Sequence, residues 1–244
     1  MGIIMDVNKN SYTFLFATAM VVVVAASLSF AATNLKPFQD TNVEQEKMQS
    51  ILSSIQIPVE RSEAPEAYQT YIKEAVVLQK GEAIKGQDAF AIDLAKEIRK
   101  SDDERLSPLY IAEKEGETYY IIPLQGNGLW GPIWGYVSLK EDINTVYGAT
   151  FDHKAETPGL GAEINTPVFE EQFKGKQMLD SNLSFVGIDV RKGDASTEYE
   201  VDGISGGTIT SDGVEAMILD CVKAYVPFLK MHSGVTATAS LTLE

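Results

Sequence analysis

The feature that most constrains this chain is an uncharged apolar run near its N-terminus, Tyr12 to Ala32, which reads YTFLFATAMVVVVAASLSFAA. A helix of 21 such residues reaches roughly 30 Å at about 1.5 Å per residue, the thickness of a bilayer's hydrocarbon core. The organisation it predicts is a short cytoplasmic tail over 1–11, one transmembrane helix over 12–32 and a single folded domain over 33–244. A cleaved signal peptide is the other reading, because Ser29-Phe30-Ala31 offers small residues for cleavage. The run is longer than a usual signal-peptide core, and Lys9 before it is offset by Asp6, which favours a retained anchor. Lys9 on one flank and Lys36 on the other give a weak orientation signal. The expectation is a tail inside and a domain outside. The span holds no ionisable residue, so by itself it is an anchor and not an ion path.

Charge and cysteine content remove whole classes of function. The formal net charge is −15, whereas nucleic-acid binding needs a cationic face. The single cysteine, Cys221, permits no disulfide within the chain and no CxxC-type metal or iron–sulfur site.

Beyond the span, Thr41 and Glu44 have capping-box spacing, and Met48, Ile51, Leu52 and Ile55 follow at helical intervals until Pro58. A second helix is expected around Pro65–Glu74. Strands are expected at Ala75–Leu78, Ala89–Leu94, Leu109–Ala112, Thr118–Pro123, Ile133–Leu139 and Val146–Asp152, with a hairpin tip at Glu113–Glu117. Thr166–Lys174 reads as a short helix. Phe185–Val190 and Thr197–Val201 read as a strand pair turning at Lys192-Gly193-Asp194. Strands in runs with helices grouped at the ends predict an α+β domain: a twisted, largely antiparallel sheet flanked by helices.

The most informative loop is Asp202-Gly203-Ile204-Ser205-Gly206-Gly207-Thr208-Ile209-Thr210-Ser211. It follows the expected strand Thr197–Val201. A helix is expected after it from about Asp212, where Asp212 and Glu215 have capping-box spacing. Val214, Met217, Ile218, Cys221, Val222 and Tyr225 lie along one face of that helix. A helix N-terminus offers free backbone N–H groups and the positive end of the helix dipole. Glycines allow close approach of a ligand, and the hydroxyls of Ser205, Thr208, Thr210 and Ser211 can donate to phosphate oxygens. On these grounds the loop is an anion-binding turn or a plain glycine-rich connection with capping hydroxyls. It is neither a Walker loop nor a G-x-G-x-x-G dinucleotide fingerprint.

Asp-Gly-Ile-Ser-Gly-Gly-Thr resembles the D-G-x-(S/T)-G-A-T motif of proteins that carry FMN on threonine through a phosphoester. The motif's final threonine falls on Thr208, and Gly207 stands where alanine is usual. Three more stretches carry the resemblance further. They are Asn10–Phe14 with the following span and Ser29–Asp40, then Gly126-Asn127-Gly128-Leu129-Trp130-Gly131-Pro132-Ile133-Trp134-Gly135-Tyr136, then Glu156-Thr157-Pro158-Gly159-Leu160-Gly161-Ala162-Glu163. Together, over nearly the whole chain and in matching order, they look like the C subunits of Na⁺-translocating NADH:quinone reductases. The related G-type subunits of Rnf complexes share the flavin motif and T-P-G-L-G. The match around the anchor favours the quinone reductases.

The resemblance implies a subunit of a six-subunit complex in the bacterial inner membrane, single-pass, with its soluble domain in the periplasm. It implies one covalent FMN on Thr208, installed from FAD by a separate flavin transferase. That FMN would relay electrons between NADH and quinone in a complex that exports sodium. The cofactor-binding set it implies is Asp202, Gly203, Ser205, Gly206, Gly207, Thr208 and Thr210, then Thr157, Pro158, Gly159, Leu160, Gly161 and Glu163, with Trp130. A membrane-tethered binding or sensor domain without redox chemistry is the alternative of a different class.

Other residues remain open on sequence grounds. Trp130 and Trp134 read either as cover for the flavin ring or a partner surface, or as core. Glu156 and Glu163 orient the T-P-G-L-G loop or are solvated. His153 and His232 give no metal signal, and no metal site or catalytic residue is expected. Cys221 reads as a buried packing thiol.

Overall fold

The computed structural model describes residues 9–232, so the expected tail over 1–8 and the end of the domain over 233–244 lie outside the described residues. The first element, α1, runs unbroken from Asn10 to Ser54 and is long and apolar enough to cross a membrane. The chain divides into two compact units between Glu46 and Lys47. The expected helix start at Thr41 is therefore a correction: Thr41 lies inside α1, and its hydroxyl bonds back to the Pro37 carbonyl at 3.0 Å. A hydroxyl committed to the carbonyl four residues earlier belongs to a helix interior and cannot cap. Thr33 and Asn34 bond in the same way to Ser29 and Phe30.

The second unit is built on a six-stranded antiparallel sheet. Its strands are β1 (Ile72–Gln79), β2 (Glu82–Ile84), β3 (Ser107–Lys114), β4 (Glu117–Asn127), β5 (Pro132–Leu139) and β6 (Val146–His153), in the order β2-β1-β3-β4-β5-β6. The expected hairpin is present and turns at Glu115-Gly116, both at positive φ. Helix α2 (Ala64–Tyr71) ends earlier than the spacing suggests, and Ile72 already belongs to β1. Ala89–Leu94 is not a strand. Asp88 accepts the Phe90 N–H and starts a 3-10 turn over Ala89–Ala91, and a short helix α3 (Leu94–Glu97) follows. Local capping outweighs the β-favouring side chains of that stretch. Helix α4 (Pro167–Glu170) falls within the expected short helix.

The pleat gives the sheet two apolar faces. On one, Leu109, Ile122, Leu124, Ile133 and Val137 pack against Val214, Met217, Ile218, Cys221 and Val222 of α5 (Thr208–Val222). On the other, Tyr110, Ile121 and Tyr136 pack against Ile51 and Leu52 of α1 and the following Ile55. Ser138 donates to the Ser54 carbonyl at 2.6 Å and Lys114 to the Ile55 carbonyl at 3.1 Å, fixing the end of α1 on the sheet. Cys221 is a buried free thiol, as expected, and burial pushes it up to about 11. The last helix, α6 (Val226–His232), lays Phe228 and Leu229 into the α5 side of the core.

A further correction concerns β7 (Asp189–Arg191) and β8 (Glu200–Asp202). They pair parallel, not as a hairpin. The connection between them is held by Asp202, which accepts the Ala195 N–H at 2.9 Å, and by Glu200, which accepts the Ser196 N–H at 3.0 Å. Chain pinned at these two points returns β8 in the direction of β7.

One titration follows from the packing at the end of α1. The Lys47 ammonium is largely buried, and burial lowers it from 10.5 to about 8, with Asp88 opposing. Between pH 8 and 10.5 the unfolded chain keeps a proton that the folded chain has released, so stability rises with pH across that window. The difference in unfolding free energy between wild type and Lys47→Met, followed by urea titration from pH 7.5 to 10, is expected to shift in favour of the wild type as pH rises. A flat difference contradicts the buried position of this ammonium.

Candidate functional site

The loop between β8 and α5 enters the helix four residues earlier than its sequence suggests. Helix α5 starts at Thr208, with Gly207 in the cap position and no side-chain cap. Asp212, the expected cap, lies a full turn inside. The reason is visible in the hydroxyls. Ser211 accepts the Ile204 N–H at 2.9 Å, and the Ser211 N–H returns to the Gly207 carbonyl at 2.9 Å, so the turn closes before Asp212 is reached. The early start leaves the first backbone N–H groups of α5 without partners inside the helix, directly beside the Thr208 side chain.

Four hydroxyls that look equivalent in sequence are not equivalent here. Thr208 and Ser205 are exposed. Thr210 and Ser211 are buried and spend their oxygens inside the protein. The Thr210 hydroxyl donates to Glu156 Oε2 at 2.7 Å, so it holds the wall of the site rather than a phosphate. Asp202 likewise shapes the neighbouring loop through Ala195.

Glu156 is the organising residue. It is only 5% exposed. Besides Thr210, it accepts the Trp130 N–H on Oε1 at 2.8 Å, and its own N–H donates to His153 Nδ1 at 3.2 Å. One carboxylate thus ties the Gly128–Gly131 turn and the T-P-G-L-G segment to the first turn of α5. Glu163 holds the T-P-G-L-G turn by accepting the Gly159 N–H at 2.8 Å. The close approach needs glycine at Gly161, where a Cβ would fall 2.4 Å from Thr210 Oγ1 and 2.5 Å from Glu156 Oε2. Gly206 needs it twice over: φ is +78°, and a Cβ would meet Leu160 Cδ2 at 2.7 Å. Gly207 differs from both. Its φ is −107°, and a Cβ there would sit 3.1 Å from Ile204 Cγ2 and 3.3 Å from the Gly161 nitrogen, tight but free of backbone strain.

Thr208 faces a cavity of about 330 Å³ lined by Arg191, Lys192, Gly203, Ile204, Ser205, Gly206, Ser211 and Asp212, among others. That volume is within the range of small-molecule sites. The cationic rim was missed in the sequence, where Lys192-Gly193-Asp194 read as a plain turn. The signal that could have found it is the adjacent pair Arg191-Lys192 in a strongly acidic chain. Arg191 is occupied: hydrogen bonding to Glu200 raises it, and Asp194 and Asp189 add to this. Lys192 forms no ion pair among the described residues. Glu215 of α5 is raised, first by burial and then by Asp189 and Asp212, while it accepts the Val190 N–H at 2.8 Å.

The two tryptophans separate. Trp130 is 65% exposed beside the Glu156 cluster. Trp134 pairs in register with Gln125 and lines a different cavity on the sheet's far face, so it is not part of this site. His153 serves as a prop for Glu156. Thr157, Pro158, Gly159 and Leu160 are exposed and Gly161 is buried.

An exposed hydroxyl at the first residue of a 15-residue helix, unpaired N–H groups around it, an available lysine and a cavity of ligand size define a membrane-anchored domain suited to a phosphate-bearing cofactor. Comparison with known proteins agrees. The FMN-binding domain family matches residues 128–223, which include Trp130, Glu156 and Thr208. The C subunit of the Na(+)-translocating NADH-quinone reductase of Haemophilus ducreyi is 33% identical, covering 85% of this chain and 88% of its own length. The corresponding C subunit of Neisseria meningitidis serogroup A is 32% identical, covering 92% and 95%. The crystal structure of the C subunit from Parabacteroides distasonis is 45% identical with a TM-score of 0.74, covering 80% of this chain and 96% of that one. The chain belongs to the family of Na⁺-translocating NADH-quinone reductase C subunits.

Removing the Glu156 side chain strands the Trp130 N–H and the buried Thr210 hydroxyl. Glu156→Ala is expected to lower the urea unfolding free energy by about 2–4 kcal/mol, as the loss of two hydrogen bonds to a buried carboxylate implies. Glu156→Gln keeps an acceptor for Trp130 and a donor for Thr210 Oγ1, and is expected to cost about 1 kcal/mol or less. Equal costs for the two variants would show that the bridge does not hold the loops together.

Proposed function

We propose that this chain is the C subunit of a bacterial Na⁺-translocating NADH:quinone reductase and carries FMN as a phosphoester on Thr208. The observation that carries the reading is the exposed Thr208 hydroxyl at the start of α5, facing the cavity and braced through Glu156 and Thr210. The length over which the chain matches quinone-reductase C subunits favours that complex over an Rnf complex. It also speaks against a tethered domain without redox chemistry.

The residues divide the work. Thr208 Oγ1 forms the ester bond to phosphorus, which breaks the pyrophosphate linkage of FAD and releases AMP. The hydroxyl proton passes to a base of the flavin transferase, since Thr208 Oγ1 has no hydrogen-bond partner among the described residues. An unactivated hydroxyl needs such help. The first N–H groups of α5, the Ser205 hydroxyl and the Lys192 ammonium hold the phosphate, whose charge the helix N-terminus favours. Leu160, seated on Gly206, and the exposed Trp130 offer apolar walls near the loop. When bound, FMN supplies reversible electron transfer, and the surrounding chain sets its potential through burial and hydrogen bonds. Thr157, Pro158 and Gly159 shape the wall, and no acid–base residue of this chain is needed.

The apolar part of α1, residues 12–32, spans the bacterial inner membrane, with the tail over 1–11 cytoplasmic and the domain over 33–244 in the periplasm. The other five subunits of the six-subunit complex supply the neighbouring redox centres, the quinone site and the sodium path. The chain relays electrons among them in a process coupled to sodium export.

Co-expression with a flavin transferase tests the attachment. The denatured wild-type band is expected to fluoresce on a gel and the Thr208→Ala band to be dark. Lys192→Ala is expected to slow labelling about tenfold, the scale of one charge-assisted phosphate contact. A dark wild-type band, or a bright Thr208→Ala band, contradicts the assignment.

A further inference from the structure

His153 ends β6, and its imidazole makes one hydrogen bond among the described residues: Nδ1 accepts the Glu156 N–H at 3.2 Å. The Glu156 N–H has no other acceptor among those residues. The backbone that carries the ring is fixed, because the His153 N–H donates to the Asp152 carboxylate at 2.7 Å and His153 pairs in register with Ile133. The ring therefore ties the sheet to the segment that carries Glu156. That residue is the buried carboxylate holding the Trp130 N–H and the Thr210 hydroxyl.

A ring nitrogen that accepts a hydrogen bond carries no proton, so this contact belongs to the neutral imidazole protonated on Nε2. A proton on Nδ1 sets two donors against each other, and the Glu156 N–H loses its acceptor. The charged groups on the elements around the ring are Asp152 and Lys154 on either side of it in the chain, Glu156 and Glu163 of the T-P-G-L-G segment, Glu170 of α4 and Asp212 of α5. The residues of β5 opposite the ring, Pro132 to Trp134, and the Gly128–Gly131 turn bring none. The Glu156 carboxylate is committed to Trp130 and Thr210, that of Glu163 to the Gly159 N–H and that of Glu170 to the Phe151 N–H. A charged ring competes for these carboxylates, so protonation disturbs the Glu156 bridge through its main chain and through its side chain.

We propose that His153 is a positioning residue for the site at Thr208: its neutral ring holds the Glu156 main chain, and protonation of the ring releases that chain and loosens the wall against which the flavin lies. The consequence for the flavin rests on the reading of Thr208 as the attachment residue, whereas the release of Glu156 does not. Imidazole is the side chain that ordinarily changes charge between pH 5 and 8. The other histidine, His232, lies on α6 with Nδ1 at the Phe228 carbonyl, so one substitution separates the two.

Hydrogen–deuterium exchange of the full chain in detergent at pH 7.5 and 5.5, corrected for the intrinsic pH dependence of exchange and read at the Glu156 amide, tests the release. Wild-type protection is expected to fall about fivefold on acidification, the scale of one hydrogen bond. His153→Asn keeps an acceptor within reach of a nearby main-chain N–H and takes up no proton. Its protection is expected to match the wild type at pH 7.5 and to stay there at pH 5.5. His153→Ala is expected to be as unprotected at both pH values as the wild type is in acid. Acidification is also expected to raise iodide quenching of the attached flavin in the wild type and not in His153→Asn. A chain that carries no flavin would count against the reading of Thr208 alone, because the exchange measurement does not need the cofactor. Wild-type protection that ignores pH, or an equal fall in His153→Asn, overturns the proposal. So does flavin quenching that ignores pH while exchange responds. Should the variants fail to fold, the wild-type profile decides.

Discussion

The carboxylate of Glu156 is the interaction on which the Thr208 site depends. Three segments distant in sequence meet at it: the turn before β5, the T-P-G-L-G segment after β6 and the first turn of α5. The turn before β5, the T-P-G-L-G segment and the loop that leads into α5 are each rich in glycine, which gives up more freedom on folding than any other residue, so none is rigid by its own composition. A buried acceptor that takes a main-chain N–H from one segment and a hydroxyl from another, while its own N–H is held by His153, converts three loops into one wall. Gly161 marks how close the approach is, since any side chain there would displace Thr210 or Glu156.

The sheet supplies the frame to which this wall is attached. Its alternating side chains make two separate cores, one against α5 and one against the end of α1. The α5 face sets the position and direction of the helix whose first residue is Thr208. The opposite face receives Ile51, Leu52 and Ile55, so the last turns of α1, from Lys47 onward, belong to the domain's own packing. Helix α1 continues to Ser54, and the second compact unit begins at Lys47.

Much of this was legible in the sequence because it rests on periodicity. The β3–β4 hairpin, the strands β5 and β6, and the buried stripe of α5 follow from alternation or helical spacing. What failed rested on capping patterns whose side chains were committed elsewhere. Thr41 and Glu44 spell a capping box, yet Thr41 bonds to Pro37 inside a continuous helix. Asp212 and Glu215 spell another, yet Ser211 closes the turn earlier and Glu215 serves Val190. The parallel pairing of β7 with β8 depends on contacts of Asp202 and Glu200 that no local pattern encodes. At the site, the D-G-I-S-G-G-T stretch stood out, but the split between exposed Thr208 and committed Thr210 was hidden. So were the burial of Glu156 and the reach of Lys192 to the cavity, because all three are set by tertiary contacts.

The central claim is that this frame presents one hydroxyl, that of Thr208, for attachment. Proteolysis of the flavinylated wild-type chain followed by tandem mass spectrometry of the peptide spanning Asp202–Ser211 tests it most directly, because Ser205, Thr208, Thr210 and Ser211 compete within one fragment. The account predicts the FMN phosphoester mass on Thr208 alone. FMN on Ser205, or on the buried Thr210 or Ser211, or on a peptide elsewhere in the chain, would contradict it.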